Sequence, residues 1–173
     1  MVTPESAHES ELQSASELYD WMQAREVLYR YCFAVDTGSV EDVMALFATD
    51  CDLQIVPGDL HKGREAVWQW YKTLTTKRMG VLRHLAHNQV LHLSGLSARS
   101  KSYWDAVGDL RGQAMLAAGF YEDVLQKIEG EWKIAKKTIK IDYMVPLSEG
   151  WGGQNRIKKA LLREIPNNSK GWR

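Results

Sequence analysis

The chain has 173 residues, and its 22 Lys plus Arg balance 22 Asp plus Glu, so the formal net charge is zero. That balance supplies no general attraction to nucleic acid or to an anionic membrane surface. A single domain of this length buries about 70% of the surface its unfolded chain exposes, enough for a core and a pocket without disulfides or metals.

The first ten residues are polar, with Glu5 and Glu9, and lack the basic and apolar regions of a signal peptide. No run of 18 apolar residues occurs, so no membrane helix is expected and the cytoplasm is the expected compartment. Residues 1–10 read as a flexible lead-in. Ser14 and Glu17 have capping-box spacing. Leu18, Trp21, Met22, Val27, Leu28, Tyr31, Cys32 and Val35 then recur at steps of three and four, which predicts a long helix ending near Asp36-Thr37-Gly38. Ser39 can cap a second, short helix through Phe47. Cys51–Val56 reads as a strand stopped by Pro57-Gly58, and Gly63–Leu74 as a third helix with Val67, Trp68, Tyr71 and Leu74 on one face.

The period then changes to two. Strands are predicted over His84–Leu93, Ala98–Val107, Leu116–Ile128 and Trp132–Tyr143, the last two joined by a tight turn at Glu129-Gly130. Three helices followed by four long antiparallel strands imply an α+β fold with the helices on one face of the sheet. Beyond Pro146 the composition turns to Gly, Asn and Lys, with one short amphipathic stretch at Ile157–Ile165.

Histidine is the side chain suited to proton exchange near neutral pH. On a strand starting at Arg83, alternation places His84, Ala86 and Asn88 on one face and His87 on the other. The helix end at Asp36 offers a carboxylate that can accept from one ring nitrogen and leave the other as a base. Tyr31, five residues earlier, is offset from Asp36 by about 140° around the helix. Trp104, Phe120 and Trp68 are candidates to line an apolar pocket, or to be ordinary core. His84 and His87, on opposite faces, do not make a metal site. Cys32 and Cys51 are too sparse for a disulfide framework or a zinc site. No nucleophile elbow, phosphate loop or H-E-x-x-H motif is present.

Tyr31-Cys32-Phe33-Ala34-Val35-Asp36-Thr37-Gly38-Ser39, followed by Ala45-Leu46-Phe47-Ala48-Thr49-Asp50, resembles the N-terminal signature of SnoaL-like proteins of the nuclear transport factor 2-like superfamily. Gly63-Arg64-Glu65-Ala66-Val67, Arg83-His84-Leu85-Ala86-His87-Asn88, and Gly119 to Val124 running into Gly130 to Ile134 continue the pattern in order. The resemblance covers about residues 15–145, and is nearest to scytalone dehydratase, bile-acid 7α-dehydratase and hexachlorocyclohexane dehydrochlorinase. It implies a cone with a pocket between a curved antiparallel sheet and the long helix, in a domain spanning 11–147. A tail over 148–173 would cover the pocket or a neighbouring subunit.

The resemblance also implies cofactor-free elimination from a small cyclic or aromatic molecule. His84 would be the base, Asp36 its partner and Tyr31 a hydrogen-bond donor. Asn88, Trp104, Phe120, Ile55 and Tyr121 are the candidates to surround the substrate. Self-association as trimers or dimers through the outer sheet face follows from the same likeness. Two departures leave the substrate open: Ile55 stands about where the dehydratases carry a pocket Tyr, and Lys127 or Ile128 where the dehydrochlorinase carries an Arg. Asp105 is a loose candidate for a pocket carboxylate. An isomerase, and a non-catalytic β subunit of a ring-hydroxylating dioxygenase, are the alternatives within the same superfamily.

Overall fold

The computed structural model describes residues 4–76, 81–110 and 112–149; the expectations for the tail beyond Glu149 lie outside them. Helix α1 spans Pro4–Thr37. Its buried stripe is Ala24, Val27, Leu28, Tyr31, Cys32 and Val35, the three-and-four spacing that puts side chains on one helix face. The helix stops where the sequence indicates, with the Gly38 N–H donating to the Ala34 carbonyl at 2.9 Å. Its start differs from expectation. The run from Pro4 is helical, so the supposed lead-in belongs largely to α1 and Ser14 lies inside it. No Gly or Pro interrupts Glu5–Gln13, and proline is tolerated in a first helical turn.

Helix α2, Val40–Ala45, opens on a reciprocal capping box. The Asp42 N–H donates to Ser39 Oγ at 3.1 Å, and the Ser39 N–H donates to Asp42 Oδ2 at 2.8 Å. Strands β1 (Phe47–Val56) and β2 (Leu60–Lys62) precede α3 (Arg64–Thr76). Then come β3 (Leu82–Ser94), β4 (Ser97–Leu110), β5 (Gln113–Ile128) and β6 (Glu131–Pro146), and a 3₁₀ turn at Leu147–Glu149. Glu129 and Gly130 both have positive φ, 51° and 85°, which the tight turn between β5 and β6 requires.

The six strands form one curved sheet in the order β2-β1-β6-β5-β4-β3, not closed into a barrel. The fold is α+β, as the pattern of elements predicts. The sheet is mixed rather than wholly antiparallel, because β1 runs parallel to β6. A parallel pair needs a long crossover, and here the whole of α3 and β3–β5 supplies it. The core lies between α1 to α3 and the inner sheet face. Arg64, at the start of α3, ties three segments together. Its guanidinium donates to the carbonyls of Phe47 (3.1 Å), Ala48 (3.0 Å) and Met44 (3.0 Å).

Of the irregularities in the strand ladders, two decide which side chains reach that core beside α1. One interrupts the β3–β4 ladder between His87 and Val90, with Asn88 at φ 52°. The other falls between β5 and β6, where Val124 pairs with Lys136 but Leu125 pairs with Ile134. The extra residue in each reverses the inward and outward alternation along its strand.

Candidate functional site

The last turn of α1 delivers Asp36 to the first half of β3, where Leu82, His84 and Ala86 turn towards the helix. His84 Nδ1 lies 2.5 Å from Asp36 Oδ1, and the His84 backbone N–H donates to Oδ2 at 2.8 Å. A carboxylate only accepts, so Nδ1 carries the proton, and in the neutral ring the lone pair is on Nε2. Among the described residues nothing hydrogen-bonds Nε2. The side chains of His84 and Asp36 are 16% and 9% exposed, so the pair is sheltered without being sealed.

Trp104 on β4 lies beside the imidazole, with ring centroids 5.9 Å apart. Its indole N–H donates to the Lys140 carbonyl at 3.2 Å. Gly119 makes room for this approach: a Cβ there would lie 1.9 Å from the Lys140 carbonyl oxygen and 3.1 Å from Trp104 Nε1. Tyr121 stacks on Trp104 at 5.5 Å and 14°. Tyr31 meets Tyr121 edge-on at 5.9 Å, and its hydroxyl lies 2.9 Å from that of Tyr71. The four inner rings are buried. Burial pushes the phenols of Tyr31, Tyr71 and Tyr121 well above their ordinary range, so they stay neutral.

Within this aromatic cluster lies a salt bridge. Lys137 Nζ is 2.9 Å from Asp123 Oδ1, with both side chains 1% exposed. The ammonium also lies over the rings of Tyr31 (4.0 Å) and Tyr121 (3.8 Å). Burial raises the Asp123 carboxyl above its usual range against the opposing pull of Lys137. It also lifts the thiol of neighbouring Cys32 to about 11.

His84, Asp36 and Trp104 therefore come together as the sequence suggests, and Tyr121 and Tyr31 follow through ring contacts. Ile55 is buried in the core on β1. Asn88 and Phe120 do not join them. The bulge turns Gln89 inward instead, where it donates to Ser100 Oγ and accepts from Arg25. Asn88 lines a hollow of about 720 Å³ on the outer sheet face with Val90, Arg99, Lys101 and Tyr103. Phe120 borders the same hollow, with the ammonium groups of Lys101 and Lys140 each 4.5 Å from its ring centroid. Adjacent strand residues face opposite ways, so Tyr121 pointing in sends Phe120 out. Asp105 is also on the outer face, 2.8 Å from His87 Nε2. Lys137, Asp123 and Tyr71 are the site-proximal residues the sequence reading misses. Among the described residues no cluster of three or more His, Cys, Asp or Glu is placed to hold a metal ion.

The SnoaL-like domain family matches residues 16–138 of this sequence. The chain belongs to the SnoaL-like domain family. No curated protein matches it. Solved structures show the same fold in this SnoaL-like protein and in others. A protein assigned as a scytalone dehydratase from Novosphingobium aromaticivorans is 20% identical, with a TM-score of 0.70 over 77% of this chain and 91% of that one. A hexachlorocyclohexane dehydrochlorinase, LinA-type3, from Novosphingobium barchaimii is 18% identical, with a TM-score of 0.70 over 78% and 94%. A cystatin-like-fold protein of unknown function from Nostoc punctiforme is 27% identical, with a TM-score of 0.64 over 75% and 96%. Among the described residues no helix of this SnoaL-like protein is long and apolar enough to cross a membrane.

Proposed function

We propose that this SnoaL-like protein is a cofactor-independent lyase that eliminates water, a halide or a small aldehyde from a small cyclic or aromatic molecule. One observation carries the reading: Asp36 fixes His84 by both its ring and its backbone, leaving Nε2 as a sheltered base. For loss of water or halide, Nε2 takes the proton from carbon next to an activating group; the C–H electrons become the new double bond, and the leaving group departs with its bonding pair. For loss of an aldehyde, Nε2 takes the proton of the carbinol O–H, the O–H pair forms the carbonyl, the C–C pair stays on the activated carbon, and the imidazolium returns the proton to that carbon. Where hydroxide leaves, the imidazolium returns a proton to it; Asp36 stabilises the cation in between.

Tyr31 donates to the developing oxyanion. With Tyr71 donating to Tyr31, the Tyr31 hydrogen is available for this. Trp104, Tyr121 and Ile55 back the ring of the substrate. The names of two fold neighbours, a dehydratase and a dehydrochlorinase, support elimination as the class of reaction. Leu85, Val90 and Tyr103, exposed on the outer sheet face, are the surface for self-association as a trimer or dimer.

The test is turnover by wild type, His84→Ala and Asp36→Asn with cyclic hydroxyketones and halogenated cyclohexanes deuterated at the carbon that loses hydrogen. Elimination with a primary isotope effect, lost in both variants, is the expected result. Undiminished turnover in His84→Ala overturns the reading, and return of the label to another carbon of the same molecule replaces it with isomerisation.

A further inference from the structure

We propose that Lys137 is a positioning residue for the His84–Asp36 pair, holding Tyr121 and Trp104 in the stack that backs the His84 ring. The inference rests on the reading of His84 and Asp36 as the reacting pair.

A fully buried ammonium needs an explanation, because removing an ion from water costs several kcal/mol, and well-packed apolar residues often serve stability as well or better. Lys137 and Asp123 stand directly opposite each other on β6 and β5. The bulge at Ala135 brings Lys137 inward, so the ammonium is built into the core by the ladder itself. It makes one hydrogen bond, to Asp123 Oδ1. Its other close neighbours are ring faces, Tyr31 from α1 and Tyr121 from β5. Asp123 Oδ2 is buried with no hydrogen-bond partner among the described residues. The pair is thus incompletely satisfied, an arrangement poorly explained by stability alone.

What the ammonium does is fix the attitude of two rings. A cation over a ring is attracted to its negative face, so displacing Tyr121 from that position is unfavourable. Tyr121 lies within 14° of parallel to Trp104, and Trp104 is 5.9 Å from His84. The Lys140 carbonyl pins the other end of the indole. His84 is therefore held from two sides, by Asp36 through hydrogen bonds and by Trp104 through a contact whose geometry traces back to Lys137. The ring of Tyr121, and not its hydroxyl, carries the connection.

The experiment is NMR of the full-length protein, following the His84 ring nitrogens through a pH titration and the Trp104 indole N–H. Lys137→Met/Asp123→Leu removes both charges together and is expected to fold with wild-type thermal stability or better. In it the Trp104 indole resonance moves, and the His84 midpoint moves by about half a pH unit or more, roughly a threefold change in proton affinity. Tyr121→Leu produces the same changes and Tyr121→Phe leaves both signals at their wild-type positions; this second pair decides the matter if the double variant does not fold. Unchanged His84 and Trp104 signals in a folded double variant, or in Tyr121→Leu, overturn the proposal. Because the readout needs no substrate, it fails independently of the lyase reading, which fails on the turnover of His84→Ala.

Discussion

His84 is bound to Asp36 twice, once through its imidazole and once through its own backbone N–H. The two bonds have separable purposes. The ring bond sets the tautomer, while the backbone bond ties the end of α1 to β3 whatever side chain stands at position 84.

His84→Ala should therefore fold normally, since the backbone bond to Asp36 survives. Turnover should fall by about 10²–10⁴-fold, the usual worth of one general base. Asp36→Ala should lose both activity and stability. It strands the His84 N–H and should lower the unfolding free energy by about 1–3 kcal/mol. Urea denaturation of the two variants, beside their rates, checks the division.

Arg64 closes the joint between α2, β1 and α3 with bonds to three carbonyls. Arg64→Ala leaves those partly buried acceptors without their donor and should cost about 1–3 kcal/mol. Arg64→Lys should recover little, because an ammonium cannot reproduce the planar fork. Chemical denaturation midpoints at constant m-value measure both.

Asp20 receives hydrogen bonds from Lys127 Nζ at 2.6 Å and Trp132 Nε1 at 3.2 Å. The Lys127 bond is the main cause holding its carboxyl below the usual range. A carboxyl lower in the folded state than in the unfolded one contributes stability that is complete above its unfolded value, about 3.9. That contribution is lost as pH falls through the folded value. Asp20→Asn should flatten the acid limb of the stability curve below about pH 4, with little change in its slope at neutral pH. Thermal melts across the acid range test this.

Cys32 and Cys51 are both buried and reduced. Burial raises both thiols, that of Cys32 to about 11, so neither is a thiolate at neutral pH. In native protein at pH 7 neither should react with an aromatic disulfide reagent on the timescale of a free thiol. Both should react together at the rate of global unfolding once denaturant is added. Equal labelling rates for native protein and a small-molecule thiol would contradict this.

The fold was legible where periodicity runs unbroken, as in α1 from Leu18 to Val35 and in the four long strands. Alternation separates His84 from His87, and the family resemblance points to His84 as the one beside Asp36. The parallel β1–β6 pairing was hidden because it joins segments with most of the chain between them, and β2 because three residues carry no period. The misplacement of Asn88 has a single cause: counting by two fails at a bulge, and the only mark of this one is Asn88 itself, a residue type that tolerates positive φ. Alternation turns one of Lys136 and Lys137 inward, and the bulge beside them makes it Lys137. Phe120 and Tyr121 are both pocket candidates in the sequence, where the pleat allows only one.

The bulge in β3 divides that strand into two halves with independent phase. Ahead of it the even-numbered His84 and Ala86 face the helices; after it the odd-numbered Leu91 and Leu93 do. Removing one residue at Asn88 would close the bulge into a regular ladder that still turns both His84 and Leu91 towards the helices, while replacing Asn88 leaves the extra residue in place. In related sequences, a one-residue gap here would mark chains whose β3 runs without the bulge and keeps both halves on the core face.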